Sequence, residues 1–333
     1  MHNCRVHSAL FCAILFSHSL VAEEPQAREL VYHNYTKAIE ITLGKARVIL
    51  CPQSGGRVLE YSIDGNNALY LEEAEKKWQP GKPGASSAGR FDYGPELVVE
   101  KHPKAWSGEW TSSISKNNSV KLTSPIGDAS GIQVSREFQF IQHGKQMGLS
   151  CKQTLLNVGK EVREVCHWGR SFSPGGGIVV VPLGEQPSRF PSKYAMYEDS
   201  AIINVKNKDD LIRERDGFLE ILAPPRKPKL GFDTYAGWFA YVMPNDTMFV
   251  KRFKTYPDRV YNEAAGLTLS IWYPTGARIE LEPIGPRERL KPGESASFTE
   301  EWWLLKHSFP KAGAKLDLKE LAQQVTEQTL APK

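Results

Sequence analysis

The sequence predicts an all-β chain, a large antiparallel sandwich or barrel with one short helix at its C-terminal end. Short runs of alternating or β-branched residues recur along most of the length, with turn residues between nearly all of them. One stripe of apolar residues at helical spacing stands alone near the end, and no repeat of roughly 20–50 residues competes with this reading.

The first 22 residues read as a secretory signal, with Arg5 as the basic start, the apolar run Ala9 to Phe16, and small Ala22 before Glu23 and Glu24. That run is too short to span a bilayer. No later run approaches the roughly 18 apolar residues a membrane helix needs. The expected organisation is a signal over 1–22, one β domain over 23–312 and a helical tail over 313–333.

IEITLGKARVIL (Ile39 to Leu50) reads as two strands around Gly44–Lys45, and VLEYSI (Val58 to Ile63) follows the turn PQSGGR. Further strands are expected in SVKLTSP, GIQVSREFQFI, MGLSCKQTLL, VREVCHWGRSF, GIVVVPL, FLEILA, GWFAYVM, MFVKRF and LTLSIWYP. Arg278 to Leu304 supplies the last pair, RIELEP and ASFTEEWWLL, around the turn LKPGES. LDLKELAQQVTEQTL (Leu316 to Leu330) is the helix, capped by Asp317, with Leu318, Leu321, Ala322 and Val325 on one face.

Of five cysteines, Cys4 and Cys12 fall in the signal, leaving Cys51, Cys151 and Cys166. A two-residue turn at Val158–Gly159 would place Cys151 opposite Cys166, either as a disulfide, which export permits, or as two packed thiols. The same register pairs His167 with Ser150 on a polar face with Lys152, Thr154 and Arg163.

The charge balance, 42 Lys+Arg against 38 Asp+Glu, leaves +4 with no basic block, so nucleic acid is not an expected partner. The sequence contains no CxxC or HExxH spacing, phosphate-cradling glycine loop or GxSxG turn. Metal and cofactor are both expected to be none. Gly175–Gly177 precedes a strand and reads as a bend.

Polar and aromatic residues on strands and loops remain as candidates. Alternation puts Glu280 and Glu282 on one face of their strand, with Ile279 and Leu281 on the other. They are either site carboxylates or a solvated face. His167 is either a general acid or a solvated side chain. Loop GRFDYGPE (Gly89 to Glu96) gathers Arg90, Asp92, Tyr93 and Glu96, suited to bidentate hydrogen bonds with vicinal hydroxyls or to a structural ion pair. Trp106, Trp110, Trp238 and Trp272 are core residues or platforms for a sugar ring. Lys251 and Arg252 offer two cations, either beside a cleft or on a solvated edge.

Three segments carry a family resemblance: SGGRVLEYSIDGNNALY, GRFDYGPE, and RIELEPIGPRERLKPGESASFTEEWWL. With them the chain resembles the galactose mutarotase-like (aldose 1-epimerase) superfamily over essentially Glu29 to Leu305. The resemblance implies a β-supersandwich that binds sugar on the concave face of its main sheet. It also implies a glutamate base that takes the anomeric hydroxyl proton and a histidine acid that protonates the ring oxygen. The family's Leu-Glu step points to Glu282 as base, with Glu280 beside it, and the catalytic histidine falls near His167. The family's Asn-His-Ser-type context is replaced here by Cys166-His167-Trp168, and His102 is the nearest counterpart of a second family histidine. The expected substrate contacts are Arg90, Asp92, Glu96, Trp238, Arg252 and Glu280, and the expected partner is a sugar or polysaccharide. Three readings follow: anomer interconversion, non-catalytic glycan binding, and a polysaccharide lyase or hydrolase using Tyr256, Tyr261 and Arg252.

Overall fold

A computed structural model describes residues 24–199 and 202–330; the expected signal, with Cys4 and Cys12, lies outside them. The described residues form two antiparallel sheets of thirteen and ten strands. In spatial order the larger sheet runs Gln26–Tyr32, Tyr35–Leu43, Ala46–Cys51, Arg57–Ile63, Gly89–Gly94, Arg163–Pro174, Arg278–Pro283, Leu269–Trp272, Lys229–Phe232, Ala195–Tyr197 and Ile203–Asn204, with two short strands off this path. The smaller sheet is centred on Trp238–Met243, Thr247–Phe253, Ser295–Lys306, Gln146–Asn157 and Ile132–His143.

The sheets pack face to face because alternate residues of each are apolar. Ile39, Ile41, Phe91, Ile271, Ile279 and Leu281 of the larger sheet join Val134, Phe138, Leu149, Phe239, Tyr241 and Phe249 of the smaller in one buried cluster. The Tyr61 hydroxyl crosses this layer to donate to the Trp302 carbonyl at 2.9 Å.

One region of the interior is ionic. Lys251 and Glu300 meet at 2.7 Å with no exposed side-chain surface. Gln153 Nε2 and Trp302 Nε1 also donate to the carboxylate, at 2.9 Å each. Gly169 makes room for it, since a Cβ there would lie 1.9 Å from Glu300 Oε1.

The turn after Gln146–Asn157 does not close a hairpin. Val158 and Gly159 donate backbone N–H bonds to Gly131, while Asn157 Nδ2 donates to the carbonyls of Glu161 and Leu290. These contacts carry the chain from the smaller sheet to the larger. Cys151 therefore pairs with Phe138 and Glu300, whereas Cys166 pairs with Gly94. The expected facing of Cys151 and Cys166 is corrected: they lie in different sheets, and both are free and buried. The register of His167 against Ser150 fails for the same reason, since His167 pairs with Tyr93.

The helix spans Leu318–Thr329, and the Asp317 side chain accepts from the amides of Lys319 and Glu320. Leu318, Leu321 and Val325 pack with Val180, Ala240, Val250 and Trp303 on the outer face of the smaller sheet. No helix of the described residues is long and apolar enough to cross a membrane.

Candidate functional site

The outer face of the larger sheet carries a chain of ion pairs drawn from four of its strands. Arg170 stands beside Arg90, and Trp168 beside Asp92. Glu280 lies between Phe172 and Trp272, and Trp272 lies beside Lys229. His102 Nε2 contacts Asp92 Oδ1 at 2.5 Å, Arg170 Nη1 donates to Asp92 Oδ2 at 3.2 Å, and Arg170 Nε donates to Glu280 Oε1 at 2.6 Å. The Arg170 guanidinium also lies over the rings of Trp168 and Trp106, at 4.9 and 5.0 Å. Glu282 accepts from Trp168 Nε1 at 2.7 Å and from Lys229 Nζ at 2.6 Å.

The electrostatics follow from these partners. Burial disfavours charge on His102, but its bond to the Asp92 carboxylate outweighs burial and raises its pKa. The Glu100 carbonyl faces His102 Nδ1 at 2.8 Å, so both ring nitrogens meet acceptors and the imidazolium suits the site. At Asp92, burial is outweighed by His102 and Arg170, which hold the carboxyl below its ordinary value. At Glu282 burial prevails over the Lys229 ammonium and, with the Glu280 charge, pushes the carboxyl up to about 7.

A cleft of about 610 Å³ opens above this chain, lined by Arg170, Lys229, Trp272, Glu280, Tyr197 and Glu96 among others. A hollow of about 700 Å³ lies against the C-terminal helix, but no member of the ion-pair chain lines it.

The expected site residues divide into three groups. Glu280 and Glu96 line the cleft, and Asp92 is tied into its ionic floor. Glu282 shares the Glu280 face, as alternation required, but is fully buried behind Lys229 rather than solvated. Arg90 is on the same face yet buried: it donates to the carbonyls of Ala85 and Trp106, at 2.9 Å each, with Trp106 over its guanidinium at 4.2 Å.

His167, Trp238 and Arg252 require correction. His167 points into the layer between the sheets, stacks on Phe298 with centroids 5.7 Å apart, and faces the Ala296 carbonyl at 3.2 Å. It is one residue out of phase with Trp168 and Arg170, so the sheet separates it from Glu282. Trp238 packs near Phe218 on the outer face of the smaller sheet, and Arg252 donates there to Thr329 of the helix at 3.2 Å. The trio Tyr256, Tyr261 and Arg252 is not assembled either: the Tyr261 hydroxyl accepts from the Tyr256 amide in the loop after Thr247–Phe253, while Arg252 is turned to Thr329 of the helix. Of the tryptophans, Trp272 lines the cleft, Trp106 covers the arginines, and Trp110 is core.

Sequence reasoning missed Arg170 and Lys229. Arg170 was within reach of alternation, two residues beyond Trp168 on the same strand. Lys229 carried no signal in the run PRKPKLGF, because only strand pairing sets it beside Trp272.

Burial drives the His167 pKa down to about 4. On acidification the unfolded chain takes up this proton first, near its ordinary 6.5. The contribution is therefore complete above about 6.5 and lost as pH falls toward about 4. Between pH 7 and pH 5 the wild type is expected to lose about 2 kcal/mol more stability than His167→Gln. Urea midpoints at the two pH values measure this, and parallel losses would refute it.

A supersandwich whose main sheet carries a charged and aromatic cleft on its outer face defines the class of protein. The particular likeness is to galactose mutarotase-like structures. A galactose mutarotase-like protein from Lactobacillus casei ATCC 334 matches with TM-score 0.54 and 11% identity, over 80% of this chain and 99% of that one. The galactose mutarotase related enzyme from Lactobacillus acidophilus gives 0.55 and 10%, over 84% and 100%. The Slr1438 protein from Synechocystis sp. PCC 6803 gives 0.55 and 14%, over 88% and 100%. At these identities the likeness is one of fold. No family model and no curated protein matches the chain.

Proposed function

We propose that this is a saccharide-binding protein whose ligand lies in the cleft over Trp272. The observation that carries the reading is the lining: an aromatic ring beside Arg170, Glu280 and Lys229, in a cleft open to solvent. A pyranose has an apolar C–H face that suits an indole, and rim hydroxyls that suit fixed donors and acceptors. The galactose mutarotase-like fold supports this reading.

Calorimetric titration with glucose, galactose and their common disaccharides tests it. Binding is expected for the wild type, weakened about tenfold or more in Trp272→Ala, which removes the stacking surface. Flat titrations across the panel would sink the proposal.

A second reading, anomer interconversion with Glu282 as base, is favoured by the environment of that carboxyl. A group that ionises near neutrality, held by an indole N–H and an ammonium, can take a proton and pass it on. With His167 on the far side of the sheet, the Lys229 ammonium is the acid nearest to Glu282. Export is a further part of the proposal. It rests on the N-terminal pattern of Arg5, the apolar run and Ala22, and sequencing of the mature N-terminus, expected near Glu23, checks it.

A further inference from the structure

We propose that the cleft continues into a second subsite and that the ligand is a glycan of at least two sugar units, the second lodged against Asn262 and Tyr197. This rests on the saccharide-binding reading and extends it.

A second cavity, of about 250 Å³, adjoins the first, and Glu96, Leu97 and Tyr197 wall both. A ligand held in the first cavity can extend along this shared wall into the second. Leu97 and Val98 are each 74% exposed, so their apolar side chains are open to contact with a ligand. Both line the second cavity, as does Ile203. Such walls suit the C–H faces of a pyranose.

The polar groups are placed for hydroxyls. Asn262 lines this cavity, and its Oδ1 is buried with no hydrogen-bond partner among the described residues. A buried acceptor left unpaired costs about 1–3 kcal/mol, and turning the amide toward the cavity would let a sugar O–H relieve it. Glu263, beside it, accepts the Glu96 amide at 2.9 Å and so pins the loop that forms the shared wall. The turn presenting both residues is strained: Ala264 has φ of 42°, in the left-handed region alanine disfavours. It is held by the Gly266 and Leu267 amides donating to the Glu263 carbonyl.

Titration of glucose and galactose against maltose, cellobiose and lactose, with wild type and Asn262→Ala, tests the subsite. At least one disaccharide is expected to bind about tenfold more tightly than its component monosaccharides. In Asn262→Ala that gain is expected to fall to about twofold, with monosaccharide affinity unchanged. Val98→Ser, at an exposed position that lines the second cavity and not the first, provides a second variant should Asn262→Ala fail to fold, and is expected to cut the same gain. Monosaccharide binding with no disaccharide gain would overturn the second subsite and leave the first standing. A gain that survives in the folded variants would overturn it as well. Absence of any saccharide binding would overturn the saccharide-binding reading, and this inference with it.

Discussion

Replacing Lys251 by methionine is expected to cost about 3–5 kcal/mol of stability, the range for leaving a buried charge without its partner. Lys251 and Glu300 have no exposed side-chain surface, and the ammonium serves more than the carboxylate. It also donates to Ser171 Oγ at 3.0 Å and to the Leu281 carbonyl at 3.2 Å, both on the opposite sheet. The lysine thus fastens the two layers to each other. Methionine keeps most of the volume and removes the charge, so Glu300 retains only Gln153 and Trp302 as donors. Urea denaturation measures the loss. The double variant Lys251→Met, Glu300→Gln is expected to be more stable than the single, because it removes the stranded charge. A single-variant loss under about 1 kcal/mol would contradict this account.

Replacing Glu282 by glutamine is expected to slow anomer exchange by about 10²–10⁴-fold if Glu282 is the base. Glutamine preserves an acceptor for Trp168 Nε1 and Lys229 but cannot take up a proton. Saccharide affinity is expected to change little, because Glu282 lies beneath Lys229 and outside the cleft lining. The same burial means that Lys229 has to swing off the carboxylate before a hydroxyl can reach it. The reactive form is the ionised one, so wild-type exchange is expected to rise as pH passes upward through about 7, where the carboxyl loses its proton. NMR exchange spectroscopy on equilibrated sugar anomers reads both effects. Equal exchange in wild type and variant, or none above the solution background, would leave binding as the function.

Much of the strand content was legible because alternation and turn chemistry are local. Gly44–Lys45 turns the chain between Tyr35–Leu43 and Ala46–Cys51, and Asp317 caps the helix where expected. The shared face of Glu280 and Glu282 was legible for the same reason. The solvated alternative for these carboxylates was not resolvable from the strand alone, since burial depends on Arg170 and Lys229, which arrive from two other strands.

Asn157 marks where sequence reading stopped. Asn-Val-Gly resembles a hairpin turn, yet its polar groups bind Gly131 and Leu290, far away in sequence, and the chain changes sheet there. That single change separated Cys151 from Cys166 and sent His167 to the interior. By itself the sequence determined many of the strands, their two-faced character and the C-terminal helix, because each depends on residues within a few positions. Only the tertiary structure decided which strands are neighbours and which face becomes core. Those choices rest on contacts between distant segments, and they bring Arg170, Lys229, Trp272 and Glu280 to one cleft while placing His167 on the other side of the sheet.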